Sequence, residues 1–141
     1  MRAGNSQFFR MWNLNDETSY RCIASFELPW PGTHGSMHPE KRERIRKAAI
    51  RPLPERIPQA QWWAFRIFVR NRHARFDIEN VLKLIVDSFC VKMIEKDHSD
   101  LKVAGLFQDD TLDYVKVLQI AGERSSETDA TKIEIFARID A

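Results

Sequence analysis

The stretch Asp77–Ile94, D-I-E-N-V-L-K-L-I-V-D-S-F-C-V-K-M-I, carries the strongest structural signal in the chain. Its apolar residues recur every three or four positions, which predicts an amphipathic helix from Ile78 to about Ile94. The apolar stripe consists of Ile78, Val81, Leu82, Ile85, Val86 and Phe89. Asp77, directly before the stripe, is suited to the N-cap position of this helix.

The opposite side of the same helix is polar. Glu79, Asn80, Lys83 and Asp87 fall within about 100° of arc when successive residues are placed 100° apart. Two of the spacings, Glu79 to Lys83 and Lys83 to Asp87, are i, i+4 and allow ion pairs. Such pairs are common on solvated helices and stabilise them by only about 0.3–0.5 kcal/mol, so ordinary surface pairing is an alternative interpretation of this face.

Patterns on both sides of this helix predict the remaining elements. Four segments have the alternation or the aromatic and β-branched content of strands: Tyr20–Leu28, Gln61–Arg70, Asp113–Ala121 and Thr131–Ile139. The last two strands are expected to form a hairpin across the polar turn 122–130. A further helix begins at Pro39 and ends at the Arg51-Pro52 break. Residues 96–105 are expected to form a loop.

These elements predict an α/β fold with the order β-α-β-α-β-β, in which a small mixed β-sheet is flanked by helices. The chain has 141 residues, enough for a single domain. We expect an irregular N-terminal extension over residues 1–19 and the folded domain over residues 20–141. Of the adjacent Trp62 and Trp63, one is expected to face the core.

Composition narrows the class of protein. No apolar run approaches the roughly 20 residues that span a bilayer, and the N-terminus lacks the apolar region of a secretory signal. Cys22 and Cys90 do not form a Cys-x-x-Cys pair, and we expect two reduced thiols. These features are typical of a cytoplasmic protein.

Charge is segregated along the chain. Eleven Lys and Arg residues but only three acids lie between His38 and Phe76, whereas the rest of the chain has eleven Lys and Arg residues and seventeen acids. The basic stretch is suited to phosphates, although a solvated basic helix is an alternative explanation. The candidates for contacts to the phosphates of a polyanion are Arg70, Arg72, His73, Arg75, Lys41, Arg42, Arg44, Arg46 and Lys47.

A second acidic group, Asp109-Asp110, follows Gly105-Leu106-Phe107 just before a predicted strand. Acids at the start of a helix and before a strand offer a hard cation several oxygen ligands from separate elements. The basic loop from Arg70 to Arg75 leads directly into Asp77. This order suggests a metal ion among the acids and a polyanion above them.

The combined pattern resembles the RusA-like family of Holliday-junction resolvases, which carries D-x-D-N-x-x-K-x-x-x-D followed by G, two or three residues, and D-D. The matching positions are Asp77, Glu79, Asn80, Lys83, Asp87, Gly105, Asp109 and Asp110. The segment from Phe26 to Pro31, with a basic helix after it, also resembles the family's first strand and turn. The resemblance extends from about Tyr20 to Ile139.

The resemblance implies a homodimeric α/β endonuclease that resolves four-way DNA junctions by paired, Mg²⁺-dependent nicks in DNA recombination and repair, with Mn²⁺ as a possible substitute. It assigns catalytic roles to Asp77, Glu79, Lys83 and Asp110. The implied metal ligands are Asp77, Glu79, Asp110 and Asp109, and Asn80 and Asp87 have supporting roles. The chain departs from the family in having Glu79 where Asp is usual and a longer connection between Asp87 and Gly105.

Three other functions fit parts of this pattern. A catalytically degraded DNA-binding module of the same scaffold would explain Glu79 in place of Asp. A nuclease with the same chemistry could act on flaps or replication forks. An α/β protein with ordinary surface ion pairs would bind no metal.

Overall fold

The computed structural model describes residues 9–29, 39–72, 78–125 and 127–139. These ranges form a small single-domain α/β fold with a four-stranded mixed sheet, as the sequence predicts. The strands and helices are β1 (Tyr20–Leu28), α1 (Pro39–Ile50), β2 (Trp63–Asn71), α2 (Ile78–Ser88), α3 (Val91–Lys96), β3 (Val115–Arg124) and β4 (Ala130–Arg138). Residues 9–12 are also helical, and Lys102–Ala104 form a 3₁₀ turn.

The strands lie in the order β1-β4-β2-β3, so the predicted β3–β4 hairpin is wrong. Strand β4 is inserted between β1 and β2 and is antiparallel to both, whereas β3 is parallel to β2 at the edge. Ile133, Ile135 and Ala137 of β4 are fully buried. A central position removes these apolar side chains from water more completely than an edge position would.

Helices α1 and α2 cover one face of the sheet and close the main core. The α2 residues Val81 and Ile85 pack there with the β2 residues Phe65 and Ile67. Trp63 is buried in this core and Trp62 is half-buried, which confirms the prediction that one of the pair faces inward. The main core therefore holds the apolar side of α2 against the sheet, and on the polar side of α2 Glu79 and Lys83 are exposed whereas Asp87 is buried.

The other face of the sheet carries a smaller apolar cluster. Leu14 and the half-buried Met11 pack there with Tyr20, Val117 and Phe136. The hydroxyl of Tyr20 donates a hydrogen bond to the carbonyl of Met11 at 2.5 Å. Part of the N-terminal extension, residues 9–19, is thereby attached to the sheet.

Helix α2 ends at Ser88, so the prediction of one helix to about Ile94 is wrong. The carbonyl of Ser88 accepts a hydrogen bond from Arg46 Nε at 2.6 Å. The backbone N–H groups of Val91 and Lys92 donate instead to the carbonyls of Phe107 and Gln108, at 2.8 and 3.3 Å. Partners from distant parts of the chain thus replace the intrahelical bonds, and α3 starts in a new direction.

The segment predicted as the loop 96–105 includes the end of α3 and the 3₁₀ turn. His98 has a φ angle of 55°, in the left-handed region that a side chain other than glycine seldom adopts. Both cysteines are free thiols. Within the described ranges, no helix has the length and apolar character required to cross a membrane.

Candidate active site

Lys83 is the centre of a charged cluster that joins the two acidic groups of the sequence. Its Nζ lies 3.4 Å from Asp87 Oδ2, one helical turn away on α2. The same Nζ lies 3.8 Å from Asp110 Oδ2, in the segment that precedes β3. The structure therefore brings Asp110 to the polar side of α2.

Burial differs strongly within this cluster. The Asp87 side chain is 4% exposed, whereas Lys83 is 54% exposed and Asp110 is 39% exposed. Burial raises the pKa of Asp87, the ammonium group of Lys83 lowers it, and the carboxylate of Asp110 raises it, with a net result above the usual value. Two mutually repelling carboxylates, of which the Asp110 carboxylate is open to solvent, favour binding of a cation.

Asp109 is held differently from its neighbour Asp110. Its Oδ2 accepts a hydrogen bond from Lys92 Nζ at 3.0 Å, and its Oδ1 accepts one from the backbone N–H of Asp110 at 2.9 Å. The hydrogen bond from Lys92 and the one from the Asp110 backbone lower the pKa of Asp109. Lys92 was not predictable from the sequence pattern, because it becomes a neighbour of Asp109 only through the break between α2 and α3.

The other predicted ligands lie at or before the start of α2. Glu79 is exposed and Asn80 is half-buried, while Asp77 lies outside the described residues. In the part of the chain that the structure describes, no three His, Cys, Asp or Glu side chains form a group that could hold a metal ion. The carboxylates of Asp87 and Asp110 are nevertheless the kind of oxygen donor that Mg²⁺ prefers.

Two of the basic residues predicted to contact DNA are part of a buried ion-pair network instead. Arg42 donates to Asp97 through Nε and Nη2, each at 2.7 Å, and Arg46 Nη2 donates to Asp97 at 2.9 Å. The side chains of Arg42 and Arg46 are 5% and 0% exposed. This burial argues against the predicted DNA contacts of Arg42 and Arg46, because both guanidinium groups are already held by Asp97 inside the fold.

A pattern in α1 could have identified these arginines in the sequence. Arg42, Ile45, Arg46 and Ala49 share one side of the helix, and all four are buried. Arginines that share a stripe with apolar residues face the core and require a counter-ion there. The sequence did not reveal that this counter-ion is Asp97.

The remaining basic candidates are more accessible. On α1, Arg44 and Lys47 are exposed and Lys41 is half-buried. Arg70 is exposed and pairs with Glu123 at 3.2 Å. The side chain of Arg72 is exposed, and its backbone N–H donates to Asp129 Oδ1 at 2.8 Å. His73 and Arg75 lie outside the described residues.

Comparison with known proteins adds no assignment to this geometry. No protein-family model matches the chain, and no curated protein sequence matches it.

Proposed function

We propose that this chain is a Mg²⁺-dependent, structure-selective endodeoxyribonuclease that resolves four-way DNA junctions by paired nicks. The observation that carries the proposal is the meeting of Asp110 with Lys83 and Asp87. These residues come from two separate elements, and two of the three side chains are accessible to solvent. Carboxylates with an adjacent ammonium group, open on one side, are suited to hydrolysis of a phosphodiester.

In this proposal Asp77, Glu79 and Asp110 would hold the cation, and Asp87 would have a supporting role. When bound, Mg²⁺ supplies positive charge that polarises the attacking water and the scissile phosphate. Asp87 contributes a buried negative charge that keeps the ammonium group of Lys83 beside Asp110. The partial exposure of Asp110 leaves its carboxylate accessible from the solvent side.

Lys83 acts electrostatically. Its ammonium group is held by two acids at 3.4 and 3.8 Å and is half exposed, so it can approach a phosphate oxygen without leaving the cluster. A positive charge fixed at this point stabilises the negative charge that develops as the phosphodiester is attacked.

Basic residues before the acids support a polyanionic substrate such as DNA, and the resemblance to the RusA-like family suggests that the DNA is branched. Arg70 lies near the end of β2 and Arg72 just after it, and Arg44 and Lys47 add exposed positive charge on α1. Resolution of a four-way junction requires two symmetric cuts, which a homodimer with two-fold symmetry would supply.

Cleavage of a labelled mobile junction, measured with and without Mg²⁺, tests the proposal. Wild type should nick the junction only with Mg²⁺, whereas Asp77→Asn and Asp110→Asn should bind it without nicking. Asp100→Asn is a matched control, because Asp100 is an exposed acid outside the cluster. This control should cleave like wild type.

Other outcomes would contradict the proposal in distinguishable ways. Persistent cleavage by Asp110→Asn would show that Asp110 is not part of the active site. Junction binding without cleavage at any Mg²⁺ concentration would support the degraded DNA-binding module. Preferential cleavage of flaps or forks in the same assay would support the proposed nuclease chemistry but with a different DNA substrate.

A further inference from the structure

Lys92 occupies a position that the proposed mechanism does not use. It lies in the first turn of α3, where its Nζ donates to Asp109 Oδ2 at 3.0 Å. The second oxygen of Asp109 accepts the backbone N–H of Asp110 at 2.9 Å. Both carboxylate oxygens of Asp109 therefore have partners, while Asp110 has its ion pair with Lys83 at the longer distance of 3.8 Å.

The same turn of α3 also holds the backbone that leads to these acids. The N–H groups of Val91 and Lys92 donate to the carbonyls of Phe107 and Gln108. The thiol of Cys90 donates to the Gln108 carbonyl at 3.3 Å. These contacts hold Phe107 and Gln108, and the ion pair between Lys92 and Asp109 holds the next residue along the chain. Asp109 directly precedes Asp110.

We propose that Lys92 is a positioning residue of the active site. It holds Asp109 as an anchor, so that the next residue, Asp110, presents its carboxylate to Lys83 and to the cation. Asp109 then acts through its bonds to Lys92 and to the Asp110 backbone and does not bind the metal. This inference rests on the proposed nuclease function.

The exposure of the pair allows this role to be separated from folding. Side chains of Lys92 and Asp109 are 64% and 31% exposed, and ion pairs at such positions contribute little to global stability. Variants of the pair should therefore remain folded. Residues that orient metal ligands typically change metal affinity or activity 10- to 100-fold when they are replaced.

A charge exchange between the two positions provides the test. The variants are Lys92→Met, Lys92→Arg, Asp109→Lys and the double variant Lys92→Asp with Asp109→Lys. Three quantities are measured: the Mg²⁺ concentration for half-maximal junction nicking, Mn²⁺ binding by electron paramagnetic resonance without DNA, and the urea midpoint of unfolding. A second double variant, Asp109→Lys with Lys96→Asp, restores net charge at another exposed lysine of α3 without rebuilding the pair.

Lys92→Met and Asp109→Lys should raise the Mg²⁺ requirement by about 10-fold and weaken Mn²⁺ binding, with little change in the urea midpoint. Lys92→Arg should behave like wild type. The exchanged pair should recover part of the activity, because it restores the ion pair but not the hydrogen bond that the Asp110 backbone N–H donates to Asp109. The variant with Lys96→Asp should recover none.

Two results would overturn the inference. An unchanged Mg²⁺ requirement in Lys92→Met would show that the ion pair positions nothing. An exchanged pair as defective as Asp109→Lys alone would show that the ion pair does not position Asp110 and that the site needs the carboxylate of Asp109 itself. Both results presuppose an active wild type. A wild-type chain that neither binds Mn²⁺ nor nicks the junction would overturn the proposed function and this inference together.

Discussion

Two charged clusters lie on either side of the break between α2 and α3, and they differ in how completely their charges are paired. In the buried cluster, Asp97 accepts hydrogen bonds from Arg42 and Arg46, and all three side chains are at most 5% exposed. In the open cluster, the Nζ of Lys83 lies 3.4 and 3.8 Å from Asp87 and Asp110, and Lys83 is 54% exposed. Charged side chains that are buried and fully paired stabilise the fold. Charged side chains that are exposed and incompletely paired remain available to a ligand.

The two clusters are connected through Arg46. Its Nη2 binds Asp97 of the buried cluster, and its Nε donates to the carbonyl of Ser88 at the end of α2. The end of α2 sets the start of α3 and thereby the contacts of α3 with Phe107 and Gln108. The buried cluster thus contributes to the placement of the open one.

The largest expected effect comes from removing the shared acid of the buried cluster. Asp97→Ala leaves two arginines buried without their counter-ion, which should lower the free energy of unfolding by about 3–5 kcal/mol. Urea unfolding followed by circular dichroism measures this decrease. Asp100→Asn, at a nearby exposed acid, should change stability by less than about 0.5 kcal/mol. A small decrease in Asp97→Ala would mean that the network adds little to the fold.

A substitution in the open cluster should strongly reduce activity and change stability only slightly. Lys83→Met is expected to reduce the nicking rate by about 10²–10³-fold, because it removes a fixed positive charge from the site. The free energy of unfolding should change by no more than about 1 kcal/mol, since Lys83 is half exposed. Rates from junction cleavage and midpoints from urea unfolding test both parts. Near-normal nicking would contradict the electrostatic role of Lys83.

The pH dependence of stability should have opposite signs at Asp97 and Asp87. Burial alone would raise the pKa of Asp97, but hydrogen bonds from Arg42 and Arg46 outweigh it, and the pKa lies below the usual 3.8. Its stabilisation is therefore complete above that value and is lost as the pH falls through the folded-state pKa. Asp87 has a raised pKa, so its charge opposes folding at neutral pH, and this cost disappears as the pH falls.

Urea unfolding of Asp97→Asn and Asp87→Asn across the acidic range, with EDTA present, measures this difference. Asp97→Asn should be less stable than wild type at neutral pH, with a deficit that shrinks below about pH 4. Asp87→Asn should be more stable than wild type at neutral pH, with an advantage that shrinks as the pH falls. Differences of the same sign in both variants would contradict the contrast between the clusters.

Local signals in the sequence predicted the outlines of the fold. The bounds Tyr20–Leu28 of β1 agree with the prediction, and α1 begins at Pro39 and ends just before the predicted break, because prolines limit both elements. The apolar stripe predicted the start of α2 at Ile78. These features depend on neighbours within a few residues, which the sequence pattern contains.

Features that depend on distant partners were not predictable in this way. The insertion of β4 between β1 and β2 depends on pairing across the sheet, and the end of α2 depends on Arg46, 42 residues earlier in the chain. The candidate site shows the same division. The motif identified Lys83 and Asp110, whereas the roles of Lys92 and Asp97 follow from contacts between separate elements.

The smallest expected effect concerns α1, where the two kinds of basic residue lie on opposite sides of one helix. Arg44 and Lys47 lie on the side away from the buried Arg42 and Arg46, and the half-buried Lys41 lies at the edge of that side. Replacing Lys41, Arg44 and Lys47 by Gln should weaken junction binding and reduce the slope of log K against log salt by about one for each DNA phosphate that the helix no longer neutralises. Fluorescence anisotropy at several salt concentrations measures this slope.

Lys102→Gln is the matched control for this last prediction, because Lys102 is an exposed lysine of the 3₁₀ turn. It should leave the slope unchanged. If the triple variant also kept the wild-type slope, the exposed side of α1 would not contact DNA. Other basic residues, such as the exposed Arg70 near the end of β2 and Arg72 just after it, would then supply the positive charge that attracts the junction. The basic character of α1 would be explained by the buried network and a solvated surface.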